Sequence, residues 1–137
     1  MHRTVSEARS VAMPTLLRTL VTLLGVGFTL QGVGWLAAPE RAAAGLGMAV
    51  LEGVGRSTQF GDFAAFFLTL GVTMVIGARQ GRGRLLYVPA GLLGSAAVGR
   101  TVAWAWHGAA FAALFIGVEV ASCVLLVVLA RRNAVAG

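Results

Sequence analysis

The chain has no lysine, one cysteine and one tyrosine among its 137 residues. A single cysteine, Cys123, excludes a disulfide within the chain and any dithiol redox chemistry. It lies inside an apolar run and reads as a small buried hydrophobe. Histidine is almost as scarce. His2 and His107 fall on opposite sides in the topology derived below, so a bis-histidine haem is excluded and no metal site is visible. No cofactor is expected. No G-x-S-x-G, H-E-x-x-H or Walker pattern occurs. The G-R-G at 81–83 reads as a loop, because no βαβ unit surrounds it. No catalytic residue is assigned, and a non-enzyme is the expectation.

Charge is also sparse. Only 12% of residues are charged and 58% are hydrophobic, against roughly 25% and 45–50% in soluble domains. Both departures point to lipid. Eleven arginines against five acids give a formal charge of +6. The arginines do not form a continuous patch but stand in pairs and triplets at the ends of apolar runs. That distribution argues for membrane topology and against a nucleic-acid partner.

Four apolar runs are long enough to cross a bilayer, which takes about 20 residues of helix. They cover about 15–38, 57–78, 85–106 and 109–130. Pro14 suits the first turn of the first helix and Pro39 stops it. A cleaved signal peptide is the rival reading of that run, with Ala42 and Ala44 as an A-x-A site; the run exceeds the usual apolar core of about 7–15 residues. The Ala-rich stretch that follows, with charges near its ends, predicts a short interfacial helix. R-Q-G-R-G-R at 79–84 and His107-Gly108 predict turns. Short connections force antiparallel neighbours. The expected fold is all-α: an antiparallel up-down four-helix bundle forming one transmembrane domain over 14–132, with cytoplasmic tails at 1–13 and 133–137.

One side of the membrane would hold eight arginines (Arg3, Arg9, Arg18, Arg79, Arg82, Arg84, Arg131 and Arg132) and the other only Arg41 and Arg56. The positive-inside rule then places both termini in the cytoplasm, as in a multi-pass protein of a bacterial inner (plasma) membrane. Trp35, Trp104 and Trp106 fall at the outer ends of their spans, where an aromatic belt is expected. Small residues supply packing surfaces: Gly91, Ser95 and Gly99 on the third helix, Gly117 and Ala121 on the fourth, and Gly25, Gly32 and Gly34 on the first. Arg18 reads as a residue snorkelling to the inner boundary.

The residues that hydrocarbon penalises carry the most information. Gln31, Asp62, Arg100 and Glu119 come one from each helix. At 1.5 Å per residue they lie about 12, 8, 10 and 16 Å below the outer boundary. A charge at mid-membrane costs roughly 2.5–3.5 kcal/mol on insertion scales, so the four are expected to face inward and meet. Asp62, Thr69 and Thr73 share one helical face and extend an inward polar stripe. Arg56 would join the mouth of the cluster, with Gln59 and His107 at its rim. Two readings stay open. The cluster is a buried ion pair that fixes register, or it is a polar cavity that binds a small ligand, a lipid head group or a proton.

Several short motifs carry a family resemblance. They are A-P-E-R at 38–41, Arg56 before the second helix, G-R at 99–100, H-G at 107–108 and Glu119. Over about residues 15–130 the chain resembles the bacterial four-helix membrane proteins of domain-of-unknown-function family 4345, which are similar in architecture to DoxX-like proteins. The resemblance implies that Arg56, Gly99, Arg100 and Glu119 match recurring positions of that family. His107 stands where many members carry an acid, which puts any proton role at that turn in doubt. The family has no established activity.

Three functions remain. The first is a structural or accessory subunit that packs on other membrane subunits or on copies of itself, with membrane lipids as its other partners. Its mark would be an uncovered small-residue face such as that of Gly25 and Gly32. The second is a small-molecule or lipid binding protein, or an enzyme, using the cluster as its site. Its mark would be an open pocket lined by Gln31, Asp62, Arg100 and Glu119. The third is a proton or ion pathway through an oligomer, for which the residues beyond Thr73 are too apolar.

Overall fold

A computed structural model describes the backbone of residues 5–135 and the side chains of 15–133. His2 and Arg3 lie outside the described residues. The described chain is helical, without strands. Four helical stretches are long and apolar enough to cross a membrane: Thr15–Ala37, Gly53–Gly77, Gly83–His107 and Ala113–Asn133.

Helix α1 covers Val5–Ala37. It begins ahead of Pro14, so the segment expected as a tail is partly a continuation of the first span. Pro39 ends α1 for the anticipated reason. The residue before a proline is pushed out of the α region, and Ala38 sits at φ −149°, ψ 64°. Pro39 then opens the short helix α2, Pro39–Gly45, the element expected at this point. A loop over 46–52 leads to α3, Gly53–Gly77. The arginine-rich turn follows and tightens into a 3-10 turn at Gly83–Leu86, which runs directly into α4, Tyr87–His107. Gly108 stops α4 in the left-handed conformation (φ 67°), with the Ala109 amide bonded back to the Ala103 carbonyl at 3.2 Å. The connection is longer than the two-residue turn expected. Residues 108–112 are non-helical, and α5 runs from Ala113 to Val135. Phe111 of this loop packs on Trp104, with ring centroids 5.0 Å apart.

Helices α1 and α3 pack most closely, and glycine is the reason. A Cβ on Gly71 would collide with Thr29 and the Gly25 carbonyl, and one on Gly32 would come within 2.8 Å of Leu68. Gly25 and Gly32 are therefore covered, not displayed. The ladder Gly91, Ser95 and Gly99 does the opposite of what was expected. All three residues are exposed, and a Cβ on either glycine would meet nothing within 4 Å. Gly117 and Ala121 are exposed as well.

Two cores result. One joins all four long helices near the 3-10 turn, through Val21, Met74, Leu86, Leu93, Leu126 and Leu129. The other, at the α2 end, is built from α1, α2 and α3 alone, around Trp35, Ala42, Ala43, Ala64 and Phe67. Trp35 is fully buried, contrary to its assignment to an interfacial belt. It stacks on Phe63 at 4.7 Å and meets Phe60 edge-on, because the break at Ala38 lets α2 fold over it. Trp104 and Trp106 stay exposed. At this end α4 and α5 contribute nothing to the core, and a space opens beside them.

Candidate functional site

That space is a cleft of about 940 Å³ between the α1–α3 pair and the α4–α5 pair. Its lining includes Gln31, Asp62, Arg100 and Glu119, the polar residues that cost most in hydrocarbon. Its trunk is apolar and aromatic, with Leu20, Leu24, Phe66, Phe67 and Leu93 among the lining residues. Leu23 on α1 and Leu114 on α5 also line it and are exposed, so the cleft borders the apolar outer surface of the helices.

Arg100 and Glu119 form the centre of the polar part. Arg100 Nε donates to Glu119 Oε1 at 2.8 Å. The guanidinium lies over the Phe115 ring, 4.8 Å from its centroid, so the planar cation is held at one edge by the carboxylate and on one face by the ring. Glu119 is only 7% exposed, and its Oε2 is buried with no hydrogen-bond partner. An unpaired buried acceptor of this kind costs about 1–3 kcal/mol.

Gln31 uses its amide nitrogen on the Ala42 carbonyl of α2, at 3.1 Å. Asp62 lines the cleft without an ion pair or side-chain hydrogen bond among the described residues. The four residues thus share one cavity, but only Arg100 and Glu119 bond to each other.

The other expected members stand elsewhere. Arg56 does not line the cleft. It pairs with Glu40 in the first turn of α2 at 3.0 Å, over the Phe60 ring, because that acid is the nearest countercharge across the 46–52 loop. Gln59 is buried and acts on the backbone. Its Oε1 accepts from the Leu51 amide at 2.9 Å, and its Nε2 donates to the Ala49 carbonyl at 3.1 Å. It touches the rim only indirectly, by holding a loop whose first residue, Leu46, lines the cleft. His107 is exposed at the end of α4, away from the lining. Thr73 turns its hydroxyl back to the Thr69 and Leu70 carbonyls of its own helix, and neither Thr69 nor Thr73 lines the cleft, so no polar stripe extends from Asp62. Among the described residues no group of three His, Cys, Asp or Glu is placed to hold a metal ion.

One polar contact went unanticipated. Arg18 does not snorkel free. Its Nη2 donates to Asn133 Oδ1 at 3.0 Å, tying α1 to α5 at the arginine-rich end. Asn133, read as tail, is buried. Its place one residue beyond Arg131-Arg132 gave no signal; only a three-dimensional neighbour identifies it. Cys123 is half-buried and donates weakly to the Ala90 carbonyl at 3.4 Å.

No family model, curated protein or solved structure matches the chain. The functional argument therefore stands on the cleft's own chemistry. It offers an acceptor-rich polar part, one guanidinium with donors to spare and a long apolar trunk. No Ser, Thr, Cys, Lys or His is among its lining residues.

Proposed function

We propose that this chain is a polytopic membrane protein that binds an amphiphilic small molecule or lipid in the cleft between its two helix pairs. One observation carries the proposal: Gln31, Asp62, Arg100 and Glu119, drawn from four different helices, line a single cavity continuous with an apolar trunk. Binding sites of this kind are concave and mostly apolar, with a few convergent polar groups. A charge pair that served only to fix register would be packed and dry. Here the pair borders open volume.

The arrangement belongs to the same proposal: an antiparallel four-helix bundle. Gly25 meets Gly71 and Met74, whereas Trp35 meets Phe60 and Phe63, a register that supports opposite directions for α1 and α3. The arginine bias supports a bacterial inner membrane with both termini in the cytoplasm, so that the polar part of the cleft lies toward the outer face. The bonding of Arg100 to Glu119, two residues that carry the resemblance to the four-helix family, supports placing the chain with it.

The accessory-subunit reading keeps one supporting observation, the uncovered Gly91–Ser95–Gly99 ladder on α4. Ladders of this spacing let helices approach closely in lipid.

Native mass spectrometry of the purified protein tests the binding proposal. An amphiphile should be retained per chain by the parent protein and lost from Gly27→Phe. Gly27 lines the cleft, and a Cβ there meets nothing within 4 Å, so the ring has room to fill the site. A parent protein that carries nothing, or a variant that retains the same species, would end the proposal. Retention of a second protein chain instead would favour association through α4.

A further inference from the structure

We propose that the cleft selects amphiphiles whose head group carries a positive charge, with Asp62 as the anchor. This rests on the cleft being a binding site and names the chemical class of its ligand.

The ionisable groups that face the cleft from every surrounding element are Asp62 on α3, Arg100 on α4 and Glu119 on α5; α1 contributes the neutral Gln31, and α2 with its loop contributes Gly45 and Leu46. The Arg100 charge is already matched by Glu119 at 2.8 Å. Asp62 has no countercharge. Two carboxylates against one guanidinium leave the site with an uncompensated negative charge.

Hydrogen-bonding capacity leans the same way. The unmatched acceptors are Glu119 Oε2, buried on a side chain nine-tenths covered, and the Asp62 carboxylate. The Gln31 carbonyl oxygen accepts nothing from the described residues. The spare donors are those of Arg100 and the second N–H of the Gln31 amide, fewer than the free acceptor sites. A complementary ligand must therefore bring donors or positive charge. An anion would gain a guanidinium that Glu119 has already neutralised, and would face Asp62 without compensation.

The walls suit a cation as well. Phe28, Phe63, Phe66 and Phe67 line the cleft, and the Arg100 guanidinium already lies over the ring of another lining residue, Phe115; aromatic rings attract cations. Asp62 is exposed and borders the cleft. A carboxylate without a partner inside a membrane span is penalised, and a cationic head group offsets that penalty.

Two probes of nearly equal size and shape and opposite charge make the test: tetraphenylphosphonium and tetraphenylborate, titrated calorimetrically into the protein in neutral maltoside micelles. Tetraphenylphosphonium should bind saturably and at least about tenfold more tightly than tetraphenylborate, and Asp62→Asn should weaken it about tenfold, the size of one partly desolvated charge contact. Asp62 has no partner to lose and the variant removes an unpaired charge, so it should melt at or above the parent temperature. Gly27→Phe should abolish binding of both probes. Equal binding of the two probes, or an Asp62→Asn affinity equal to that of the parent, would overturn charge selection while leaving the cleft as a binding site. Preference for tetraphenylborate would transfer the anchor to Arg100 and overturn it too. If neither probe binds, both this inference and the binding function on which it rests fall.

Discussion

At the residue scale, the glycines separate into those that fill a role and those that fill none. Gly71 has backbone and Thr29 where its Cβ would lie. Gly71→Ala must force α1 and α3 apart, and overpacking of this kind costs about 1–3 kcal/mol; thermal melting in detergent should show the loss. Gly91→Ala meets open space and relieves the backbone entropy of a helical glycine, so it should be neutral or stabilising by up to about 1 kcal/mol. The sequence shows both as small residues at helical spacing. It cannot say which face finds a partner, and so the Gly91 ladder was assigned contacts that belong to Gly25 and Gly32. The charged residues were easier to read, because hydrocarbon leaves a buried charge few options. Arg100 and Glu119 pair as that cost requires. Arg100→Met should destabilise by about 1–3 kcal/mol, since the Glu119 carboxylate then loses its donor. Adding Glu119→Gln should recover part of the loss; a melting temperature for Arg100→Met equal to the parent's would show that the pair contributes nothing. Arg56 was misplaced because proximity along the chain suggested Asp62, while folding brought Glu40 nearer.

Among the elements, α2 was the most legible. Proline 39 dictates both the end of α1 and the start of a new helix, and both effects are local. What α2 does was hidden. Ala42 and Ala43 bury Trp35, and an aromatic near a span end carries the same sequence signature whether it faces lipid or folds under a neighbouring helix. The 46–52 loop was equally opaque. Its shape depends on Gln59, a residue eight to eleven positions away that bonds backbone groups. Gln59→Leu keeps the volume and removes those bonds. Limited proteolysis should then cut within 46–52 several-fold faster than in the parent, with the four long helices intact by circular dichroism; unchanged cleavage would assign the loop's order to something else. The late start of α5 at Ala113 reflects Gly108, which halts α4 but leaves the alanines after it free to remain non-helical.

On the scale of the whole molecule, the four crossing segments were visible from composition alone, and so was the set of polar residues that share the cleft. The cavity itself was not. It arises because the core at the α2 end closes with three helices and leaves the fourth and fifth outside it. Such an imbalance is a sum over many contacts and has no motif. The orientation of the molecule can be checked directly. Gln80→Cys in a Cys123→Ala background places one thiol in the exposed arginine-rich turn. A membrane-impermeant maleimide should label it only after the cells are opened; labelling of intact cells would invert the topology.

The exposed apolar side chains of Leu23 and Leu114 on the cleft's lining have a consequence for how occupancy of the proposed site would be set. A solute entering past them would first dissolve in the leaflet, so the concentration that mattered would be that in oil. Two compounds with identical fit would then differ in apparent potency by the ratio of their partition coefficients. The Arg18–Asn133 bond joins the same two helices near the arginine-rich turn, at the end away from these side chains.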